Sequence, residues 1–453
     1  MMSRFFGGGL VSGMSFIRNI LDVRKGELGK TAGMFLWFFI VIAAYWFLKP
    51  TREALTVGIL GADSIPTLKF IVALVSAVVV VAYSLVLPYL SRERLAYIVI
   101  GSFIWLMIFF WYFFTYHSEV KLLYYSFYVF LDLFNTVNVA LFWTFLADIM
   151  KTGSAKRLYG LIGGGGVIGG FFGATTCWSV IKFVEPAQML VYVAIAYSSV
   201  LAIIYLVSRH VDREPGAVTG VIAQKGKSRL HDALEGARTV FSSRYFLGIC
   251  AILAFYELVS TVNYVVFNKG VELFIMPEVG KEGLGDFYSK FYLILNIVSV
   301  SIQLLLTSFI IRRLGMVAAL LALPVVLGGL SVAFLAVPVF VLVGGIYLVD
   351  NSLNYSINQT SREMLFIPVP RKDKYATLAF TDMFVLRMAK ATGAALSLLL
   401  PYLLVIDSLS SLRFYMLMTL PAMALWGLIA FYLGRHFKLL SGPSKGDLSS
   451  DDA

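Results

Sequence analysis

Apolar residues run along this chain in stretches of about 20, each closed by a short polar or charged link, over nearly its whole length. A helix of that length crosses a hydrocarbon layer about 30 Å thick. Twelve such segments are expected, near residues 31–49, 66–90, 95–116, 122–149, 158–184, 187–208, 244–268, 285–311, 315–336, 338–361, 376–405 and 413–434. The alternation over about ten residues that marks a membrane β-barrel does not occur. The expected fold class is therefore an all-α membrane protein with twelve transmembrane helices. Residues 31–208 and 244–435 are expected to form two six-helix bundles, joined by a cytoplasmic central link at 209–243. Residues 1–30 read as a cytoplasmic or interfacial lead-in, and 436–453 as a disordered tail.

Composition agrees. Of 453 residues, 59% are hydrophobic and 14% charged, with mean hydropathy +0.83; a soluble chain carries about 25% charged residues. The net charge of +11 does not call for nucleic acid, because the cations gather in alternate links. Arg92, Arg94, Lys151, Lys156, Arg157, Arg312, Arg313, Arg371, Lys372 and Lys374 lie on one side, with the central link and the basic lead-in. The excess of Lys and Arg on cytoplasmic loops then puts both termini in the cytoplasm. The short links fit a bacterial inner membrane. Cys177 and Cys250 fall inside apolar segments, which argues against a disulfide framework. The N-terminus lacks the pattern of a cleaved signal.

The two halves echo each other at an offset of about 220 residues. Arg92 of SRERLAY matches Arg312 of RRLGM; KRLYG opens the fifth segment and KDKYA the eleventh; Gly173–Ala174 matches Gly393–Ala394. This layout resembles the major facilitator superfamily, in which the first, fourth, seventh and tenth helices line a central path.

Ionisable groups at membrane depth are costly and mark cavities or partners. Here they concentrate on those four segments. The first ends in Lys49, Arg52 and Glu53, around Pro50. The fourth carries Asp132, Asn135 and Asn138 at spacing three, hence on one face. The seventh carries Glu257, Asn263 and Lys269; the tenth carries Asp350, Asn354 and Asn358, again on one face. The cations suit a carboxylate or phosphate, and a buried carboxylate can carry a coupling proton. The competing expectation for Lys49, Arg52 and Lys269 is snorkelling to the outer headgroups. Asp382, Arg387 and Lys390 on the eleventh segment, with Glu53 at the end of the first, read as gating or structural charges.

The glycine run GLIGGGGVIGGFFGA, 160–174, lacks the GK[ST] ending of a phosphate-binding loop. Packing of helices or a hinge is the expected use. His117, His210, His231 and His436 all lie outside the apolar segments, and no hydrolase or zinc-site spacing occurs. No enzyme activity, metal site or cofactor is expected.

With these residues in view, the chain resembles the ATP/ADP translocase family of plastids and intracellular bacteria. LKPTREAL, 48–55, is similar to the family's LRxxKDxL, and FLDLFNTVNVALFWTFLADI, 130–149, to its fourth span. NYVVFNK, 263–269, resembles a seventh-span motif ending in lysine, and TSREMLFIPVPRKDKYATLAFTD, 360–382, the segment around the family's TKEMAFIPL. Two positions depart: Val265 stands where the family usually has glutamate, and Leu378 where it usually has lysine. The resemblance implies a secondary transporter working by alternating access, by exchange or coupled to protons. Lys49, Arg52 and Lys269, with Asn135, Asn138, Asn263, Asn354 and Asn358, would hold a nucleotide or another phosphorylated or organic anion; Asp132, Glu257 and Asp350 would handle protons. The expected partners are that small anion and the lipid bilayer, with the chain a monomer. The alternatives are a flippase for an amphipathic or lipid-linked substrate, and a non-transporting membrane partner protein.

Overall fold

The computed structural model describes residues 27–86, 89–150, 152–209 and 229–440. The helices are α1 (Leu28–Leu55), α2 (Ile65–Val86), α3 (Arg92–Tyr116), α4 (Lys121–Ile149), α5 (Thr152–Val180), α6 (Pro186–Arg209), α7 (Arg229–Ser242) and α8 (Arg244–Gly270). They continue as α9 (Met276–Ser301), α10 (Gly315–Ala336), α11 (Phe340–Leu353), α12 (Gln359–Met364), α13 (Arg371–Phe380), α14 (Leu386–Leu403) and α15 (Arg413–Leu440). Each of the twelve expected segments coincides over most of its length with helix. Helix is what a membrane demands, because a backbone in hydrocarbon must satisfy its own hydrogen bonds.

Among the described residues, nine helical stretches are long and apolar enough to cross a membrane. One of them, Arg244–Leu306, runs through both the seventh and the eighth expected segments. Gly280, at φ 70° and ψ 173°, breaks the helix between these two. The tenth and eleventh segments do not qualify. The tenth carries Asp350, Asn351, Asn354 and Asn358, and the eleventh carries Asp382, Arg387 and Lys390.

Two boundaries differ from expectation. The central link holds a helix, α7, while 210–228 lie outside the described residues. The last helix runs on to Leu440, so only 441–453 of the expected tail lie outside them. Residues 1–26 of the lead-in also lie outside.

The chain divides into two compact units, residues 1–52 with 85–226, and residues 53–84 with 227–453. Within the first, the glycine run lays α5 directly on α1. A Cβ on Gly165 would stand 3.2 Å from the carbonyl carbon of Phe35, one on Gly169 3.0 Å from Cα of Phe39, and one on Gly173 2.9 Å from Cα of Ala43. Each would lie closer still to the carbonyl oxygen of the same residue. The two stripes both advance by four residues, so backbone meets backbone along three turns. Dispersion is gained there because no side chain intervenes. Within the second unit Gly393 does the same for α14 and α8: a Cβ there would lie 2.9 Å from the carbonyl oxygen of Leu258.

Several helices end in a single wide π-turn: Thr56–Leu60 after α1, Val271–Ile275 after α8, Asn354–Asn358 after α11 and Thr381–Val385 after α13. Such turns occur often at functional sites. Here three of them follow within a few residues of Arg52, Lys269 and Asp350.

Candidate functional site

In the first unit α1 does not stop at Pro50. It continues through Lys49, Arg52 and Glu53 to Leu55. Arg52 is 1% exposed and Lys49 6%, so neither reaches out as the snorkelling alternative requires. Arg52 Nη1 donates to Asp132 Oδ1 of α4 at 2.8 Å. The guanidinium also lies 4.2 Å from the centre of the Tyr128 ring, one turn earlier on α4. A cation is thus held by a carboxylate and by a ring face, a pairing that strengthens as water is excluded. The Lys49 ammonium stands 4.6 Å over Trp46 and 5.7 Å from the Tyr45 ring.

The polar face of α4 splits in two. Asp132 and Asn135 are half-buried, whereas Asn138 is fully buried. Asn138 Nδ2 donates to the Phe134 carbonyl at 2.8 Å, and its Oδ1 accepts from the Tyr197 hydroxyl of α6. Asn138 is a satisfied core group, which counts against its expected place among substrate ligands. At the other end of α4, Arg92 pairs with Asp148, and Arg157 with Glu27 at 3.0 Å.

In the second unit Lys269, at the last turn of α8, is pinned between two carboxylates. Its Nζ lies 2.8 Å from Asp63 Oδ1 and 2.8 Å from Glu272 Oε2. Glu272 also accepts from the backbone N–H of Ala62 at 3.1 Å. Gly61, at φ 79°, makes the bend that presents that N–H. Glu53, wholly buried, accepts a hydrogen bond from the Tyr264 hydroxyl, and the Lys69 ammonium stands 4.2 Å over the Tyr264 ring.

Asp350 is wholly buried on α11, and Asn263 Nδ2 of α8 donates to its Oδ2 at 3.4 Å. Asn358 Nδ2 donates to Asn354 Oδ1 at 3.0 Å across the π-turn. Glu257 on α8 faces Lys390 of α14 at 3.5 Å. Lys390 was expected in a cluster with Asp382; it stands against Glu257, and the Asp382 side chain lies outside the described residues. Arg387 is half-buried. Val265 is 2% exposed, in the core of α8. Among the described residues no three His, Cys, Asp or Glu side chains gather as a metal site.

The expected residues therefore meet in pairs: Arg52 with Asp132, Asn263 with Asp350, Glu257 with Lys390, Asn354 with Asn358. Lys69, Asp63, Glu272, Tyr128 and Tyr264 were not anticipated. Lys69 carried a signal, as a cation inside the second apolar segment.

The chain is similar along most of its length to known proteins. The family profile described as TLC ATP/ADP transporter matches residues 12–123 and 118–343. An ADP,ATP carrier protein 1 of Chlamydia pneumoniae is 24% identical over 500 aligned positions, covering 95% of this chain and 96% of that protein. An ADP,ATP carrier protein 3 of Rickettsia conorii is 22% identical, covering 89% and 93%. Among solved structures, the nucleoside transporter NupG superposes with a TM-score of 0.57 at 14% identity, covering 93% of this chain and all of that one. A bacterial homologue of the lysosomal transporter Spinster gives 0.58 at 12% identity, covering 92% and 99%. At these identities the structures establish a shared helical fold and nothing further.

Proposed function

The chain belongs to the TLC ATP/ADP transporter family, and from that premise we propose that it moves a nucleotide, or a related phosphorylated anion, by alternating access. The observation that carries the substrate class is the buried guanidinium of Arg52, held on Asp132 at 2.8 Å. A guanidinium that has already left water suits an oxyanion, because the cost of desolvation is met on folding and not on binding. Lys49 and Lys269 support the same reading, as does Lys69. Asn135, Asn354 and Asn358 supply neutral donors and acceptors, while Asn138 contributes through the packing of α4. Glu53, Asp382, Arg387 and Lys390 serve to fix and gate the helices. The chain acts as a monomeric carrier and not as an enzyme, in a bacterial inner membrane with both termini cytoplasmic. The helices of 31–208 and 244–435 act as its two halves.

Val265 and Leu378 favour a substrate less charged than the one their charged counterparts in the family would suit. The test is uptake of labelled ATP, ADP, AMP, sugar phosphates and dicarboxylates into vesicles holding the purified protein, with each unlabelled compound preloaded in turn. Saturable uptake of one class, stimulated by preloading with the same class and lowered in Arg52→Gln, is expected. Absence of any phosphorylated anion from the transported set would refute the proposal.

A further inference from the structure

We propose that Asp350 and Asn263 form a proton site that ties substrate movement to a proton gradient. This deepens the transport reading above and rests on it. Asp350 is fully buried and Asn263 1% exposed. One contact joins them, Asn263 Nδ2 to Asp350 Oδ2 at 3.4 Å. That leaves Asp350 Oδ1 and Asn263 Oδ1, both buried, both acceptors, both without a hydrogen-bond partner. Two orphaned acceptors on adjacent buried side chains are costly, and an ionised carboxylate in that position more so.

Among the described residues Asp350 makes no ion pair. From α8 it is faced by Tyr256, Glu257 and Asn263, and by Ser260, whose hydroxyl hydrogen-bonds to the carboxylate. Glu257 is itself an anion, and Lys390 is directed to it. The Arg362 guanidinium is stacked 5.5 Å from the Tyr256 ring. Tyrosine and serine hydroxyls offer neutral polarity only.

One proton remedies the deficit. On Asp350 it removes the buried charge and creates an O–H donor beside the Asn263 acceptor. Among the described residues no three His, Cys, Asp or Glu side chains gather here as a metal site. The step balances simply. A proton from water on one side adds to the carboxylate to form the acid. On the other side the O–H bond breaks, the proton returns to water and the carboxylate is restored. The π-turn Asn354–Asn358, one turn beyond Asp350, gives the helix a place to change shape between these states.

Two measurements test the site. In vesicles, labelled-substrate exchange and accumulation driven by an imposed pH gradient are compared for wild type, Asp350→Asn and Asn263→Ala, with sodium present or replaced by choline. Asp350→Asn is expected to lower gradient-driven accumulation on the order of tenfold more than it lowers exchange. Equal losses, or accumulation that follows sodium, would overturn the proposal. Independently of any substrate, the infrared spectrum of the purified protein should show a protonated-carboxyl carbonyl band that Asp350→Asn removes and Asn263→Ala shifts. A spectrum unaltered by Asp350→Asn would also overturn it. If the band behaves as expected while wild type exchanges no substrate, the transport reading fails and the proton site stands.

Discussion

The glycine stripe of α5 gives the sharpest test of the packing, because it contains its own control. Gly164 and Gly165 are neighbours in sequence. A Cβ on Gly164 would meet nothing within 4 Å, whereas one on Gly165 would enter the backbone of Phe35. Ordinary approach of carbon to a carbonyl oxygen is about 3.3–3.6 Å. A methyl group at 165, 169 or 173 therefore forces α5 off α1, and a backbone cannot rotate aside as a side chain does. Overpacking of this kind costs typically about 1–3 kcal/mol. At Gly164 the same change removes backbone entropy from the unfolded chain and improves helix propensity, for a gain of about 0.5–1 kcal/mol.

Gly→Ala variants at 164, 165, 169, 173 and 393 should thus fall into an order. The 164 variant melts at or above wild type. The 165, 169 and 173 variants melt several degrees lower. The 393 variant lies between, since its nearest approach is a less severe 2.9 Å. Thermal unfolding of the detergent-solubilised protein, followed by the fluorescence of its tryptophans, reads the order directly. Equal effects at 164 and 165 would refute the claim that α5 rests on the α1 backbone.

Three further predictions concern the charges. Arg52→Gln and Asp132→Asn should each destabilise by about 3 kcal/mol, because each leaves a partner unbalanced in a buried or half-buried place. The double variant should recover about 1–2 kcal/mol of the summed loss in a double-mutant cycle of unfolding; simple additivity would deny the pair. At Lys269, Glu272→Gln should destabilise by about 1–3 kcal/mol, since Glu272 also holds the Ala62 N–H. Asp63→Asn should cost less than about 1 kcal/mol, as Asp63 is 69% exposed; the reverse order in chemical denaturation would refute the assignment. Gly61→Ala should cost about 1–2 kcal/mol, because φ 79° is a left-handed angle; an unchanged melting curve would speak against that bend.

How much of this was legible in the sequence follows from what each feature depends on. The spans were legible because hydrocarbon thickness fixes their length and composition without reference to neighbours. The charged end of the first span was legible for the same reason, since cations at that depth stand out against the apolar run. Partner choice was less so. It depends on how each helix is rotated about its axis, which the spacing of residues on one helix does not record. Asn138 shares a spacing of three with Asp132 and Asn135, yet Tyr197 on α6 closes over it. Lys269 meets Glu272 one turn away, a pairing that helix geometry allows one to foresee, but also Asp63, 206 residues distant in sequence. The glycine run was legible as small, yet which of its glycines carry the contact needed the position of Phe35, Phe39 and Ala43. Helix α7 was hidden by the polar composition of its link.

The pairing of the cations has a consequence for transport itself. On the proposed reading, an anion arriving at Arg52 would meet a guanidinium already bonded to Asp132, and one arriving at Lys269 an ammonium between two carboxylates. Binding there would be a sharing or an exchange of partners, one oxyanion beside or in place of another on the same cation. Such an exchange changes little in the number of charge-assisted bonds, so it adds little net affinity. It does tie occupancy to the fate of the displaced carboxylate. A released Asp132 must take up water, a proton or a new donor, each of which favours a different arrangement of α1 and α4. A carrier needs that dependence more than it needs tight binding, because a substrate moves an equilibrium between two states only by its difference in affinity for them. If Arg52 holds the substrate as proposed, Asp132 is as much a part of its recognition, although it carries the substrate's own sign.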